Sequence, residues 1–275
     1  MTSAAPPPVA KPKPKTFDGL PISTGIDTTV GRKIIITGSK GVGKTTLASL
    51  IDPAPLFFDL DGETSSFDVS RVSPENWEDL MKQIRHPGCQ EFKTIIFDSA
   101  TGLRKMAEAE FVRTRGTSAG MSINSTRTSA DADYGKGLRV VSGLLKAFLD
   151  EVTALHWKQG RNVGFVTHEK IVTVKNPAGD DHLMCKLDLP EDNAVSAIND
   201  YYSWADFVLN IRRDVAVNDK TRKAIGSSVR TIYTQETPAY MAKARRGNAG
   251  NTLAESYAWD DPSEDTVWRD IFGTN

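Results

Sequence analysis

The sequence predicts an α/β fold, with a mainly parallel sheet flanked by helices and an antiparallel extension toward the C-terminus. Three observations carry this expectation. Short apolar, β-branched runs alternate with helix-like stretches up to about residue 170. A glycine-rich loop joins the first buried run to a helix. Beyond residue 170 the apolar runs follow one another with little but turns between them, as antiparallel strands do.

The elements follow in order. "GRKIIITG" is a short apolar run closed by Gly38, and a helix is expected over residues 45–51, ended by Asp52-Pro53 and Pro55. "PLFFDLDG" is a second strand-like run with carboxylates at its exit. A helix is expected over 73–85, with Ser73 as its cap and Pro74 in its first turn. "FKTIIFDSA" is a third buried run, ending in Asp98, and a helix over 103–113 leads into a polar Ser/Thr/Gly/Asp-rich loop at 114–137. A loop of that length is functional or disordered. Leu138, Val141, Leu144, Leu145, Phe148, Leu149 and Val152 recur at helical spacing, which predicts a helix over 138–158. "RNVGFVTHE" is a fourth strand ending at His168. "KIVTVKN", "DHLMCKLDL", "ADFVLNIRRDV" and "SSVRTIYTQET" complete the chain as strands joined by turns and one short helix. Residues 1–16 form a Pro/Lys-rich solvated tail, 17–250 one domain, and 251–275 a C-terminal tail or short helix.

Composition narrows the classes of function. The 275 residues carry a formal net charge of −1, so any surface for a polyanion has to be local. Cys89 and Cys185 are the only cysteines and have no metal-ligand spacing, which fits two free thiols in a reducing cytoplasm. The N-terminus has no apolar segment of the kind a signal peptide needs, and no run approaches the length of a membrane span.

Gly38-Ser39-Lys40-Gly41-Val42-Gly43-Lys44-Thr45 satisfies G-x-x-x-x-G-K-[ST] in full, between a buried strand and a helix start. Glycines let the backbone N–H groups wrap around phosphates, and the following turn, through Thr46, continues the cradle. Lys44 is placed to bridge the outer phosphates of ATP and Thr45 to hold Mg²⁺ through its hydroxyl, with Asp98 as the second metal-side carboxylate. The exit of the second strand, Asp59-Leu60-Asp61-Gly62-Glu63, offers a base for water: Asp59 and Asp61, two apart in an extended segment, can both face the site, and Glu63 can reach it from the turn. His168 ends the fourth strand on the same carboxyl edge, where it can sense a γ-phosphate. Lys243, Arg245 and Arg246 cluster farther on, as a solvated group or as a cationic finger for a neighbouring subunit's site.

These pieces in this order resemble RecA-like P-loop ATPases, and in particular the phage-encoded Sak-type single-strand annealing or recombination proteins. The likeness covers roughly residues 30–250 through "LFFDLDGE", "TIIFD", His168-Glu169 and "AKARRG". It implies catalytic roles for Lys44, for Asp61 in place of the family's glutamate, for His168, and for Lys243 and Arg245 acting across a subunit interface. Asp61 is one methylene shorter than that glutamate, so Glu63 stays beside it as the alternative base. The resemblance also implies a ring or filament on single-stranded DNA, in a host cytoplasm, with a single-strand binding protein as a further partner. Two segments are candidates for the strand. One is the polar loop, with Arg113, Arg115, Arg127, Lys136 and Tyr134; the other holds Arg212, Arg213, Lys220, Arg222 and Lys223. A small-molecule phosphotransferase and a non-catalytic ATP-dependent scaffold are the rival functions.

Overall fold

The computed structural model describes residues 15–17, 20–22, 29–115, 136–176, 179–191, 195–217, 224–245 and 252–273. In chain order its strands are β1 (Lys15–Phe17), β2 (Leu20–Ile22), β3 (Lys33–Gly38), β4 (Leu56–Asp59), β5 (Ser70–Val72), β6 (Thr94–Asp98), β7 (Asn162–Thr167), β8 (Glu169–Val174), β9 (His182–Leu187), β10 (Phe207–Val217), β11 (Ala224–Tyr233), β12 (Lys243–Ala244) and β13 (Ser256–Ala258). The helices are α1 (Lys44–Ser49), α2 (Trp77–Gln83), α3 (Ala100–Arg115), α4 (Lys136–Leu155), α5 (Ala197–Trp204) and α6 (Thr266–Phe272).

Nine strands form one sheet in the order β13-β11-β10-β3-β7-β6-β4-β5, with β12 also paired to β10. From β10 to β5 every neighbouring pair is parallel. The pairings of β11, β12 and β13 are antiparallel. β1 and β2 form a separate two-stranded sheet, as do β8 and β9.

The central strands are apolar along their whole length because both of their faces are covered. Ile34, Ile36, Phe57, Ile96 and Val166 pack on one face with Leu47 of α1 and with Val267, Trp268 and Ile271 of α6. Ile35, Phe58, Phe97, Val163 and Phe165 face the other way, against α2, α3, α4 and α5. Phe97 stands at the middle of that second layer, 5.1 Å from both Phe148 and Phe165 between ring centroids. The period-2 alternation in "IIIT" and "TIIF" is thus a two-sided core, and the α4 stripe read at helical spacing meets one side of it.

Some boundaries differ from expectation. The second helix begins at Trp77 because Asn76 supplies the cap, its side chain accepting a hydrogen bond from the Asp79 N–H at 2.9 Å; Ser73 and Pro74 precede it. β1 begins at Lys15, inside the segment expected as a tail, while residues 1–14 lie outside the described part. The C-terminal segment, expected as a tail or short helix, makes defined contacts. β13 extends the sheet beside β11, Trp259 is 1% exposed, and the Trp268 indole N–H donates to the Leu47 carbonyl at 2.8 Å. The short helix expected after residue 250 is α6, and it packs on the core.

Candidate functional site

The site is set by the register of the parallel strands. Thr37 pairs with Thr167, Val166 with Asp98, and Asp98 with Asp59, so four chain exits fall side by side at one edge. The phosphate-loop motif leaves β3 there, His168 leaves β7, Asp98 ends β6 and the Asp59–Glu63 turn leaves β4. Together they border a cleft of about 300 Å³ lined by Lys40, Gly41, Gly43, Lys44, Thr45, Thr46, Glu63, Phe67, Asp98, Val166 and His168. Residues separated by more than 120 positions meet because α3 and α4 carry the chain from β6 to β7.

Within the loop, Gly41 (φ 70°) and Gly43 (φ 106°) hold left-handed backbone that favours glycine. Gly43 is constrained further: a Cβ there would lie 2.8 Å from Arg230 Nη1 and 2.9 Å from the Trp259 ring. Val42 anchors the loop in the core at 1% exposure. The Lys44 ammonium folds back to donate to the Gly38 carbonyl at 3.1 Å and the Ser39 carbonyl at 2.9 Å. Burial lowers its pKa, while Asp98 and Glu63 pull it upward. Incoming phosphate oxygens would therefore meet an ammonium already held at the mouth of the loop.

The Thr45 hydroxyl donates to Asp98 Oδ2 at 2.6 Å, and Asp98 is 2% exposed. This is a pair of hard oxygen donors of the kind Mg²⁺ takes alongside phosphate oxygens. Among the described residues no cluster of three or more His, Cys, Asp or Glu forms a cage, so a cation here would rest on these two side chains and on the nucleotide. Burial raises the Asp98 carboxyl to about 6, with the Thr45 hydrogen bond acting against it and Glu63 reinforcing it. The folded state thus holds this proton more tightly than the unfolded chain does. Stability without metal is expected to fall as pH rises from about 4 to about 6, by up to about 3 kcal/mol, and to be level below that window. Thermal melts in chelator should show this slope in the wild type and lose it in Asp98→Asn; a slope unchanged in the variant would contradict the assignment.

The carboxylates of the second strand separate by position. Asp59 is buried and shapes the turn: its two oxygens accept from the Gly62 N–H at 2.8 Å and the Thr64 hydroxyl at 2.7 Å. Asp61 turns toward α3, accepting from the Ser99 hydroxyl and from Lys105 Nζ at 3.2 Å, and does not line the cleft. Glu63 does line it, at the start of a 3-10 turn over Glu63–Ser66 that follows Gly62 in left-handed conformation. The geometry brings Glu63, and not Asp61, to the cleft.

His168 borders the same cleft, and its Nδ1 is buried without a hydrogen-bond partner among the described residues. Burial and then the nearby Lys44 hold its pKa below the usual imidazole range, which favours the neutral ring.

Other expected residues lie elsewhere. β12 pairs with β10 at Phe207 and Val208, level with Ile34 and Ile35, so Lys243 and Arg245 lie toward the edge opposite the cleft. Lys243 donates to the Tyr202 carbonyl and Arg245 pairs with Asp206 at 3.0 Å. Of the two candidate strand-binding segments, Arg127, Tyr134, Lys220, Arg222 and Lys223 lie outside the described residues, as do the side chains of Arg115 and Lys136 and all of Arg246. Arg113 pairs with Glu110 at 2.7 Å. Arg212 pairs with Glu169 at 3.3 Å and stacks over Tyr240. Arg213 donates to the Gly41 carbonyl at 3.2 Å, a contact with the phosphate loop that no sequence spacing announced. Phe67, the aromatic in the cleft lining, was equally without a sequence signal.

No helix among the described residues is long and apolar enough to cross a membrane. No curated protein matches the chain. Among solved structures, the crystal structure of the flagellar accessory protein FlaH from Methanocaldococcus jannaschii is similar at 13% identity and a TM-score of 0.41, over 84% of this chain and 85% of that one. Residues 30–246 match the AAA domain family, a span that runs from just before β3 to just past β12 and includes every exit that borders the cleft. The chain belongs to the AAA domain family.

Proposed function

We propose that the chain binds ATP with Mg²⁺ in this cleft and hydrolyses it. The observation that carries the reading is the Thr45–Asp98 hydrogen bond of 2.6 Å, set beneath a complete phosphate loop and in the same cleft as Lys44, Glu63 and His168. Backbone N–H groups of the loop and the Lys44 ammonium bind the phosphates and neutralise charge that builds as the terminal phosphoryl transfers. Mg²⁺ held by Thr45 and Asp98 would supply a positive centre for the phosphate oxygens. Glu63 orients the attacking water and takes its proton, and His168 reads the presence of the γ-phosphate through its ring nitrogen.

We further read the protein as a RecA-like ATPase that assembles into a ring or filament on single-stranded DNA, in phage recombination or annealing, together with a single-strand binding protein. The order of its motifs along the chain supports this. So does the position of Arg245, whose side chain is 61% exposed at the edge away from its own cleft, where a second copy can approach. The test is phosphate release from Mg²⁺·ATP with and without single-stranded DNA. Stimulation of about tenfold or more, above an electrostatic background that salt removes, is the expected result. Hydrolysis indifferent to DNA would overturn the DNA role and leave the ATPase. Phosphate appearing on a metabolite would replace hydrolysis with a phosphotransferase, and binding without turnover would leave a scaffold.

A further inference from the structure

We propose that Arg213 is a positioning residue of the phosphate loop. The inference rests on nucleotide binding at that loop and adds a residue that acts on it from outside the cleft.

β10 pairs with β3 from Phe207 to Ile211, the last pair being Ile211 with Gly38. Approach there is close: a Cβ on Gly38 would lie 2.4 Å from the Ile211 carbonyl oxygen. β10 then runs on beyond the end of β3, paired with β11 through a register shift between Arg213 and Val215. Arg212 and Arg213 are thereby set beside the loop that opens after Gly38. Arg213 Nη2 donates to the Gly41 carbonyl at 3.2 Å, and Arg213 does not line the cleft that Gly41 lines. A trans peptide points its C=O and the next N–H in opposite directions. Holding the Gly41 carbonyl toward Arg213 fixes the opposite direction of the Val42 N–H, one of the loop donors proposed to bind a phosphate oxygen. Without that contact the Gly41–Val42 peptide can rotate, since Gly41 has open space around it and no side chain to restrain it.

A second contact supports the same face of the loop. Arg230 stands directly opposite Arg213 across the β10–β11 pair, with its guanidinium over the Trp259 ring at 5.1 Å and Nη1 against Gly43. Like charges directly opposite on a strand pair are unfavourable by themselves. Here one is held by a backbone carbonyl and the other by an aromatic face, and a bound polyphosphate would relieve their repulsion. Two cations thus grip the outside of the loop while its inner side is left for the nucleotide.

A loop oriented by Arg213 binds ground state and transition state alike, so its loss shows in KM and not in kcat. In the full chain, Arg213→Ala is expected to raise both KM for Mg²⁺·ATP and Kd for a non-hydrolysable ATP analogue about tenfold, with kcat within about twofold. Arg213→Lys, which can still donate to one carbonyl, should recover most of that affinity. A purely structural role would instead lower kcat and the active fraction together and would not be rescued by lysine. Wild-type binding with KM unchanged in Arg213→Ala would overturn the inference alone, as would a variant whose only defect is weaker single-stranded DNA binding. Failure of the wild type to bind the analogue would overturn the phosphate-loop reading and this inference with it.

Discussion

Lys44→Ala is expected to abolish measurable ATP hydrolysis and to weaken Mg²⁺·ATP binding by about 100-fold or more, the scale set by losing two charge-assisted contacts to phosphate. Lys44 is 6% exposed and its ammonium sits on the Gly38 and Ser39 carbonyls, at the point where the loop closes. Removing it takes away the ammonium held on the Gly38 and Ser39 carbonyls. It also leaves two carbonyls without their donor, so the empty loop itself should loosen. Isothermal titration with an ATP analogue separates these effects from misfolding, provided the variant keeps its helical circular-dichroism signal. Affinity and turnover equal to wild type would remove the phosphate loop from the account.

The second large effect concerns the base. Glu63→Gln keeps the size of the side chain and removes its ability to take a proton, so kcat should fall about 10²- to 10⁴-fold while affinity for an ATP analogue stays within about threefold. Asp61→Asn should behave differently. Its carboxylate serves Ser99 and Lys105 outside the cleft, and with Lys105 64% exposed the lost ion pair is worth little. A fall in kcat of less than about tenfold is expected there. If Asp61→Asn, and not Glu63→Gln, removed turnover, the base would be the residue implied by the family resemblance, and the turn would have to rearrange around the nucleotide to bring it in.

These two residues show where sequence reading stopped. The phosphate loop and Asp98 were legible because their chemistry needs particular residue types at fixed places: glycines where left-handed backbone and close approach occur, and an acid at the end of a run buried on both faces. Asp61 and Glu63 both follow the same strand, and only the left-handed turn at Gly62 and the two hydrogen bonds made by Asp59 decide which one reaches the cleft. Strand order was hidden for a related reason. β10 arrives beside β3 from more than 160 residues away, and that placement puts Lys243 and Arg245 at the far edge while bringing Arg213 to Gly41. Nothing in local periodicity encodes a pairing of that range. The short helix expected near the C-terminus is α6, but its packing on the core through Val267, Trp268 and Ile271, with Trp259 before it, was not legible because that contact is with strands more than 100 residues away.

The central claim is that one cleft gathers the phosphate loop, the Thr45–Asp98 pair, Glu63 and His168 around the terminal phosphate of ATP. A crystal structure of the full chain with Mg²⁺ and a non-hydrolysable ATP analogue tests it most directly. The account predicts the γ-phosphate within about 3 Å of Lys44 Nζ and of a His168 ring nitrogen, and Mg²⁺ at about 2.1 Å from the Thr45 hydroxyl. A nucleotide bound elsewhere, or in this cleft with Glu63 and His168 turned away from its terminal phosphate, would contradict it.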